Sequence, residues 1–419
     1  MLIQRSNTWF GSKVKKRRRE LPAARGFQSS TMSLYRNSAW FLKGVTEFTR
    51  SAFLSASKRF VEKDLEVSMA GRSFMITGAN SGIGKATAMA IAKKGGIIHM
   101  VCRNKDKAEE ARADIVKESG NKEVYVHILD LSETKKVWEF AEAFKRKYKA
   151  LNVLINNAGS IMSQRDVNVE GLEKSFATNV MAIYILTKSL IPLLEKSADP
   201  RVITVSSGGM LVQKLRTGNL QSDRGRYDGT MVYAQHKRQQ VVMTEQLAKT
   251  HTNIHFSVMH PGWVDTPAVA NAMPDFHSSM KDSLRTPEQG ADTVVWLAIS
   301  EAAITNPSGR FYQGKNTKIP YLLGDLECAA FGARYYQRPP ATGLDPQLLP
   351  GGAEVNVSAG GLGQDVPVAL RGREPGTSTP STPPPLTPAA YTDRGRAQYF
   401  IPCSTFAPGE GEGINLGLF

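Results

Sequence analysis

From about residue 70 to 315, short apolar runs alternate with amphipathic stretches, and few folds accommodate that pattern. Residues 73–77, 97–101, 124–129, 153–155, 202–205 and 254–259 read as strands, being short, apolar and rich in β-branched side chains. Residues 135–147 and 232–249 read as helices between them. Such alternation predicts a parallel sheet with helices on both faces. Ligands bind such sheets at the carboxyl ends of the strands, so the residues just after each strand hold the candidate chemistry.

Outside this body the composition changes. Residues 1–60 contain thirteen Lys/Arg against Glu20 and Glu47, which is +11 of the net +15. The charge therefore belongs mostly to the first 60 residues, which open with a basic arm, residues 1–31, carrying the run Lys15-Lys16-Arg17-Arg18-Arg19. The body is only mildly basic, so no specific nucleic-acid partner is expected. A solvated tail, a mitochondrial presequence and a nuclear signal are alternative readings of the arm. In the helical segment 32–69, Arg36, Lys43 and Arg50 recur every seven residues, opposite Leu34, Phe41, Val45, Phe48 and Ala52. Residues 33–60 therefore read either as a helix lying on an anionic membrane surface or as one packed against its own domain. The final segment, 316–419, reads as mostly disordered, because residues 338–419 hold 13 of the 22 prolines and 13 of the 36 glycines. No apolar run reaches the ~20 residues needed to span a bilayer. The longest, Val180 to Leu194, is interrupted by Lys188 and Pro192. Cys102, Cys328 and Cys403 lie far apart, which argues against a disulfide scaffold and gives no metal-ligand spacing. An intracellular, cytoplasmic location is expected, with mitochondrial or membrane-surface association as alternatives.

The first strand runs into Thr77-Gly78-Ala79-Asn80-Ser81-Gly82-Ile83-Gly84. Glycines at 78, 82 and 84 permit a tight turn, close approach of a phosphate and close packing of the next helix, whose N-terminal amides suit an anion. Ser81 and Ile83 share that turn. The second strand ends at Arg103 rather than an acid, which favours a 2′-phosphate over a 2′-hydroxyl and hence NADP(H) over NAD(H). Asp130 suits either the adenine amine or the cap of the following helix. Asn157, Ala158 and Gly159 follow the fourth strand and suit a ribose and ring lying against its end. Tyr233 and Lys237, four apart, share a helix face, and a lysine ammonium beside a phenol favours the phenolate. Ser207, after the fifth strand, can bond the same substrate oxygen, and Asn179 can hold a water against the lysine.

In this order the motifs resemble those of the short-chain dehydrogenase/reductase family, over residues 70 to 315. The resemblance implies a single Rossmann-type, doubly wound parallel sheet of seven strands. It implies Tyr233 as acid/base, Lys237 lowering its pKa and binding the nicotinamide ribose, and Ser207 orienting the substrate. Asn179 would anchor a proton-relay water, and Pro261, Gly262 and Thr266 would flank the nicotinamide. Trp263, Met273, Phe276 and Met280 suit a hydrophobic alcohol or carbonyl, or else pack the lid onto the body. Carbonyl reduction is the expected direction, because cellular NADP pools run reduced. Homodimers are common in that family. A nucleotide-binding sensor or scaffold is the alternative. The spacing from Ser207 to Tyr233 exceeds that of compact members, so the segment 211–230 reads as an insertion.

Overall fold

A computed structural model describes residues 37–318. All of them fall within one compact unit. The arm 1–31 and the tail beyond 318 lie outside the described residues.

Seven strands form a parallel sheet in the order β3-β2-β1-β4-β5-β6-β7. They are β1 (Ser73–Thr77), β2 (Ile97–Cys102), β3 (Val124–Ile128), β4 (Val153–Asn156), β5 (Arg201–Val205), β6 (His255–His260) and β7 (Arg310–Gln313). A two-residue strand, β8 (Asn316–Thr317), adds one antiparallel edge to the seven parallel strands expected. Gly314, at φ +65, makes the turn into it.

Period-two alternation divides each strand between two layers. Phe74, Ile76, Val153, Ile155 and Ile203 pack with α3 (Gly82–Ala92), α4 (Lys105–Ser119) and α11 (Pro287–Ile299). Met75, Leu154, Val202 and Phe256 pack with α5 (Thr134–Lys147), α7 (Ala182–Leu194) and α8 (Gly229–Thr250). Both faces are buried, as a parallel sheet requires. The order reverses at β1, where β2 lies on one side and β4 on the other, opening a crevice at their carboxyl ends.

A three-residue turn, α6 (Lys174–Phe176), enters α7 through a π-helical stretch, Ala177–Met181. The continuous helix Lys174–Leu194 is long and apolar enough to cross a membrane, which corrects the sequence expectation. Its apolar window is 67% buried, and Leu186 and Leu190 join the layer containing Leu154 and Phe144. Its composition is that of a core helix.

The N-terminal segment also departs from expectation. It forms α1 (residues 37–47) and α2 (Arg50–Ser57), not one helix. Thr49 adopts an extended conformation and its hydroxyl caps the second helix at Ala52 N. That break ends the helical projection. Phe48 is fully buried, whereas Phe41 and Val45 are exposed, and Lys43 and Arg50 bond within the domain, to Glu47 and to the Leu284 carbonyl.

Burial keeps several histidines uncharged. Desolvation holds His99 and His236 at about 3 and His127 and His255 at about 4, and holds His260 well below its ordinary value. The unfolded chain binds these protons near pH 6.5, the folded chain only at lower pH. Their stabilisation is present above about pH 6.5 and is lost as pH falls through the folded values. The urea midpoint should therefore be lower at pH 5 than at pH 7.5. Equal midpoints with equal slopes would contradict this.

Candidate active site

The end of β4 shapes the glycine turn after β1. Thr77 Oγ1 accepts from Asn157 N and Ala158 N, both at 3.0 Å. The Asn157 side chain donates to Thr77 O at 2.9 Å and Gly78 O at 3.3 Å. Asn157 therefore fixes the loop rather than offering its amide to a ligand. Gly78 and Gly82 have φ of +67 and +51, which favours glycine. A Cβ on Gly84 would overlap Gly78 O and come 2.5 Å from Asn157 Nδ2. Ser81 is extended at the N-cap of α3 and makes no side-chain cap bond. The first-turn amides of Gly82, Ile83 and Gly84 have no acceptor within the helix. Thr266, which caps α9 (Pro267–Ala272), stands 3.0 Å from where a Gly82 Cβ would lie. A glycine cradle, bare amides and an adjacent threonine fit a dinucleotide pyrophosphate.

Arg103 is exposed at the end of β2, and the next residue, Asn104, caps α4. Asp130 Oδ1 accepts from Ser132 N at 2.9 Å, which closes a turn ahead of α5; it does not cap that helix, whose N-cap is Glu133. Arg103 follows β2, the neighbour of β1, and Asp130 follows β3, one strand farther out.

Across the crevice, Ser207 caps the turn Gly208–Val212 and hydrogen-bonds Tyr233. Tyr233 and Lys237 lie one turn apart on α8, whose N-cap is Asp228. Lys237 Nζ is 5.3 Å from the Tyr233 ring centroid. It donates to Val205 O at 2.8 Å and to Gln240 Oε1 at 3.2 Å. A Cβ on Gly159 would meet this Nζ at 3.3 Å.

The electrostatics differ from expectation. Burial pushes Tyr233 up to about 12, opposed only by the Ser207 hydrogen bond. Burial pulls Lys237 down to about 7. Desolvation is the largest cause in both groups, and it opposes the phenolate that the spacing of the two residues predicts. The tyrosine is thus held protonated.

Asn179 lies in the π-helical stretch, a distortion frequent at functional sites. Its side chain holds both Ser160 N and Ser160 O at 2.8 Å. Its carbonyl accepts from Gln240 Nε2 at 2.7 Å. A side-chain amide, not only solvent, therefore links Asn179 to Lys237.

Pro261 and Gly262 follow β6. Gly262, at φ +87, lies under the Arg285 guanidinium, which donates to Pro261 O at 3.0 Å. The same guanidinium donates to Glu47 O and Thr49 O, at 2.8 and 3.2 Å. Trp40 Nε1 donates to Gly208 O at 2.8 Å. Trp263, Phe276 and Met280 pack with Phe48 and Trp40, so these residues serve largely to join the lid to α1 and α2. Met273 is half-buried.

Sequence reasoning missed Gln240, His236, Arg285 and Trp40. Gln240 had a signal, since it lies three residues beyond Lys237 on the same helix. His236 Nδ1 sits 3.4 Å from Asn179 Nδ2, and its Nε2 lies 3.9 Å from the buried Glu173 carboxylate. Glu173 also accepts from Tyr227, which anchors the insertion 211–230.

The short chain dehydrogenase family model matches residues 72–276. Human "Dehydrogenase/reductase SDR family member 12" is 60% identical over 291 residues, which is 70% of this chain and 92% of that protein. The chain belongs to the short-chain dehydrogenase family. Human "Retinol dehydrogenase 12" is 32% identical, over 64% of this chain and 89% of that protein. A solved short chain dehydrogenase from Escherichia coli CFT073, complexed with NADPH, is 23% identical with a TM-score of 0.48. That likeness covers 60% of this chain and 98% of the other. As a short-chain dehydrogenase, the chain is an oxidoreductase. The family match begins at residue 72, and α1 and α2, which precede it, reach the strand ends of the sheet.

Proposed function

We propose that the protein is an NADP(H)-dependent oxidoreductase that interconverts a hydrophobic alcohol and its carbonyl. The hydrogen bond between Ser207 and Tyr233, with buried Lys237 beside the tyrosine ring, carries this reading. The glycine turn with the amides of Gly82, Ile83 and Gly84 would hold the pyrophosphate, with Thr266 beside it. Asn157, Ala158 and Gly159 would line the ribose side, and Pro261 and Gly262 the nicotinamide end. When bound, the nicotinamide supplies or accepts the hydride. Ser207 would orient the substrate oxygen, and Tyr233 would exchange its proton with that oxygen. Tyr233, protonated in this state, can donate to a carbonyl oxygen. Retinol dehydrogenases among its relatives are named for a hydrophobic alcohol, which supports that substrate class.

Arg103, exposed at the end of β2, supports a preference for the 2′-phosphate. A charge-assisted hydrogen bond of this kind implies roughly tenfold or greater preference for NADPH over NADH. Titrating the full-length protein with each cofactor, followed by nicotinamide fluorescence, tests this. Arg103→Glu should erase the preference while leaving NADH binding in place. Equal wild-type affinities would remove Arg103 from the site, and no binding of either cofactor would sink the enzyme reading.

A further inference from the structure

Gln240 is fully buried on α8, three residues beyond Lys237, and both polar ends of its amide are engaged. Nε2 donates to Asn179 O at 2.7 Å, and Oε1 accepts from Lys237 Nζ at 3.2 Å. A carbonyl can only accept and an ammonium can only donate, so the amide has a single orientation. Asn179 is itself fully buried, and its side chain is occupied by the Ser160 backbone. The link between the π-helical stretch and the lysine is therefore built from protein groups with fixed directions.

We propose that Gln240 is a positioning residue of this site: its amide holds the Lys237 ammonium against the Val205 carbonyl and ties it to the Asn179 backbone. The proposal rests on reading Tyr233 and Lys237 as the acid/base pair. Lys237 has three N–H donors, of which Val205 O and Gln240 Oε1 take two. The titratable groups around it are Tyr233 and His236 on α8, with Glu173 beyond His236. β5 contributes the Val205 carbonyl, and the turn after β4 contributes the Gly159 backbone. In surroundings this dry, an acceptor strongly stabilises the charged lysine. A neutral amide does so without adding a charge of its own. A carboxylate at the same place would keep the lysine charged but bury a negative charge beside it.

The test uses full-length protein labelled with 13C at the lysine ε-carbon, with Lys237→Met to assign the signal. Gln240→Leu, similar in size but without polar groups, should lower the Lys237 pKa by about one unit or more. Gln240→Glu should raise it by about one unit or more. Opposite shifts of one signal are not expected from general loosening of the fold. If Gln240→Leu does not fold, the upward shift in Gln240→Glu tests the same contact. A Lys237 titration unchanged in every folded variant would overturn the proposal. With NADPH and a carbonyl panel, both variants should lower kcat more than they raise KM, and the pH profile should move with the lysine. Should wild type turn over no carbonyl while the shifts hold, the acid/base reading fails and the hold of Gln240 on Lys237 stands. Should wild type turn over while Lys237 titrates identically in all forms, the role of Gln240 fails alone.

Discussion

Tyr233→Phe should lower kcat for carbonyl reduction by roughly 10²- to 10⁴-fold, the usual range for losing a positioned acid. NADPH affinity should be unchanged. The Tyr233 oxygen accepts from Ser207, which itself accepts from Gly209 N at 3.1 Å. Removing the hydroxyl leaves only the half-buried Ser207 hydroxyl in need of another acceptor, and the stability change should stay within about 1 kcal/mol. Lys237 keeps its acceptors, Val205 O and Gln240 Oε1, so the nicotinamide side of the site stays formed. Comparable turnover in the variant would dismiss Tyr233 as the acid.

Gly84→Ala should have the largest effect on cofactor binding. The new methyl would overlap Gly78 O and crowd Asn157 Nδ2 at 2.5 Å. Neither neighbour is a flexible side-chain end. Gly78 O is loop backbone, and Asn157 is fixed by two hydrogen bonds to the same loop. The turn must open, at a cost of about 1–3 kcal/mol for overpacking. NADPH affinity should fall at least about tenfold. Gly218→Ala is the control, since its Cβ would meet only the end of Arg224, at 3.8 Å. Unchanged affinity in Gly84→Ala would mean that the cofactor does not lie on this turn.

The sheet was largely legible in the sequence because six strands are short runs of β-branched and aliphatic residues ending beside polar ones. β7 was not read as a strand from its residues: in Arg310-Phe311-Tyr312-Gln313 only the middle two are buried. Such a run is too short for alternation to show. Thr49 explains the misread N-terminal helix, since a cap inside an apolar pattern resets the helical phase. The glycine turn and the Tyr233–Lys237 spacing are local patterns, and the structure places them at one crevice. The protonation of that pair was not legible. Spacing four residues apart predicts proximity, but desolvation depends on Val205, Gly159 and Gln240 closing around the lysine from distant parts of the chain. Arg285 gave no signal, because its acceptors at Glu47 and Thr49 lie 238 and 236 residues away.

That separation constrains the order of assembly. Arg285 is buried, and burial pulls its pKa down to about 10, so its guanidinium depends on the Glu47, Thr49 and Pro261 carbonyls for hydrogen bonds. During synthesis α1 and α2 emerge while their clasp is still untranslated. At ~5–20 residues per second the gap lasts roughly 10–50 s. Through that interval Trp40 and Phe48 also lack Gly208 and Trp263, their later partners. These two helices, made early, are therefore among the last elements to be secured, and a nascent chain stalled before residue 285 presents an aromatic surface to the chaperones of the cell.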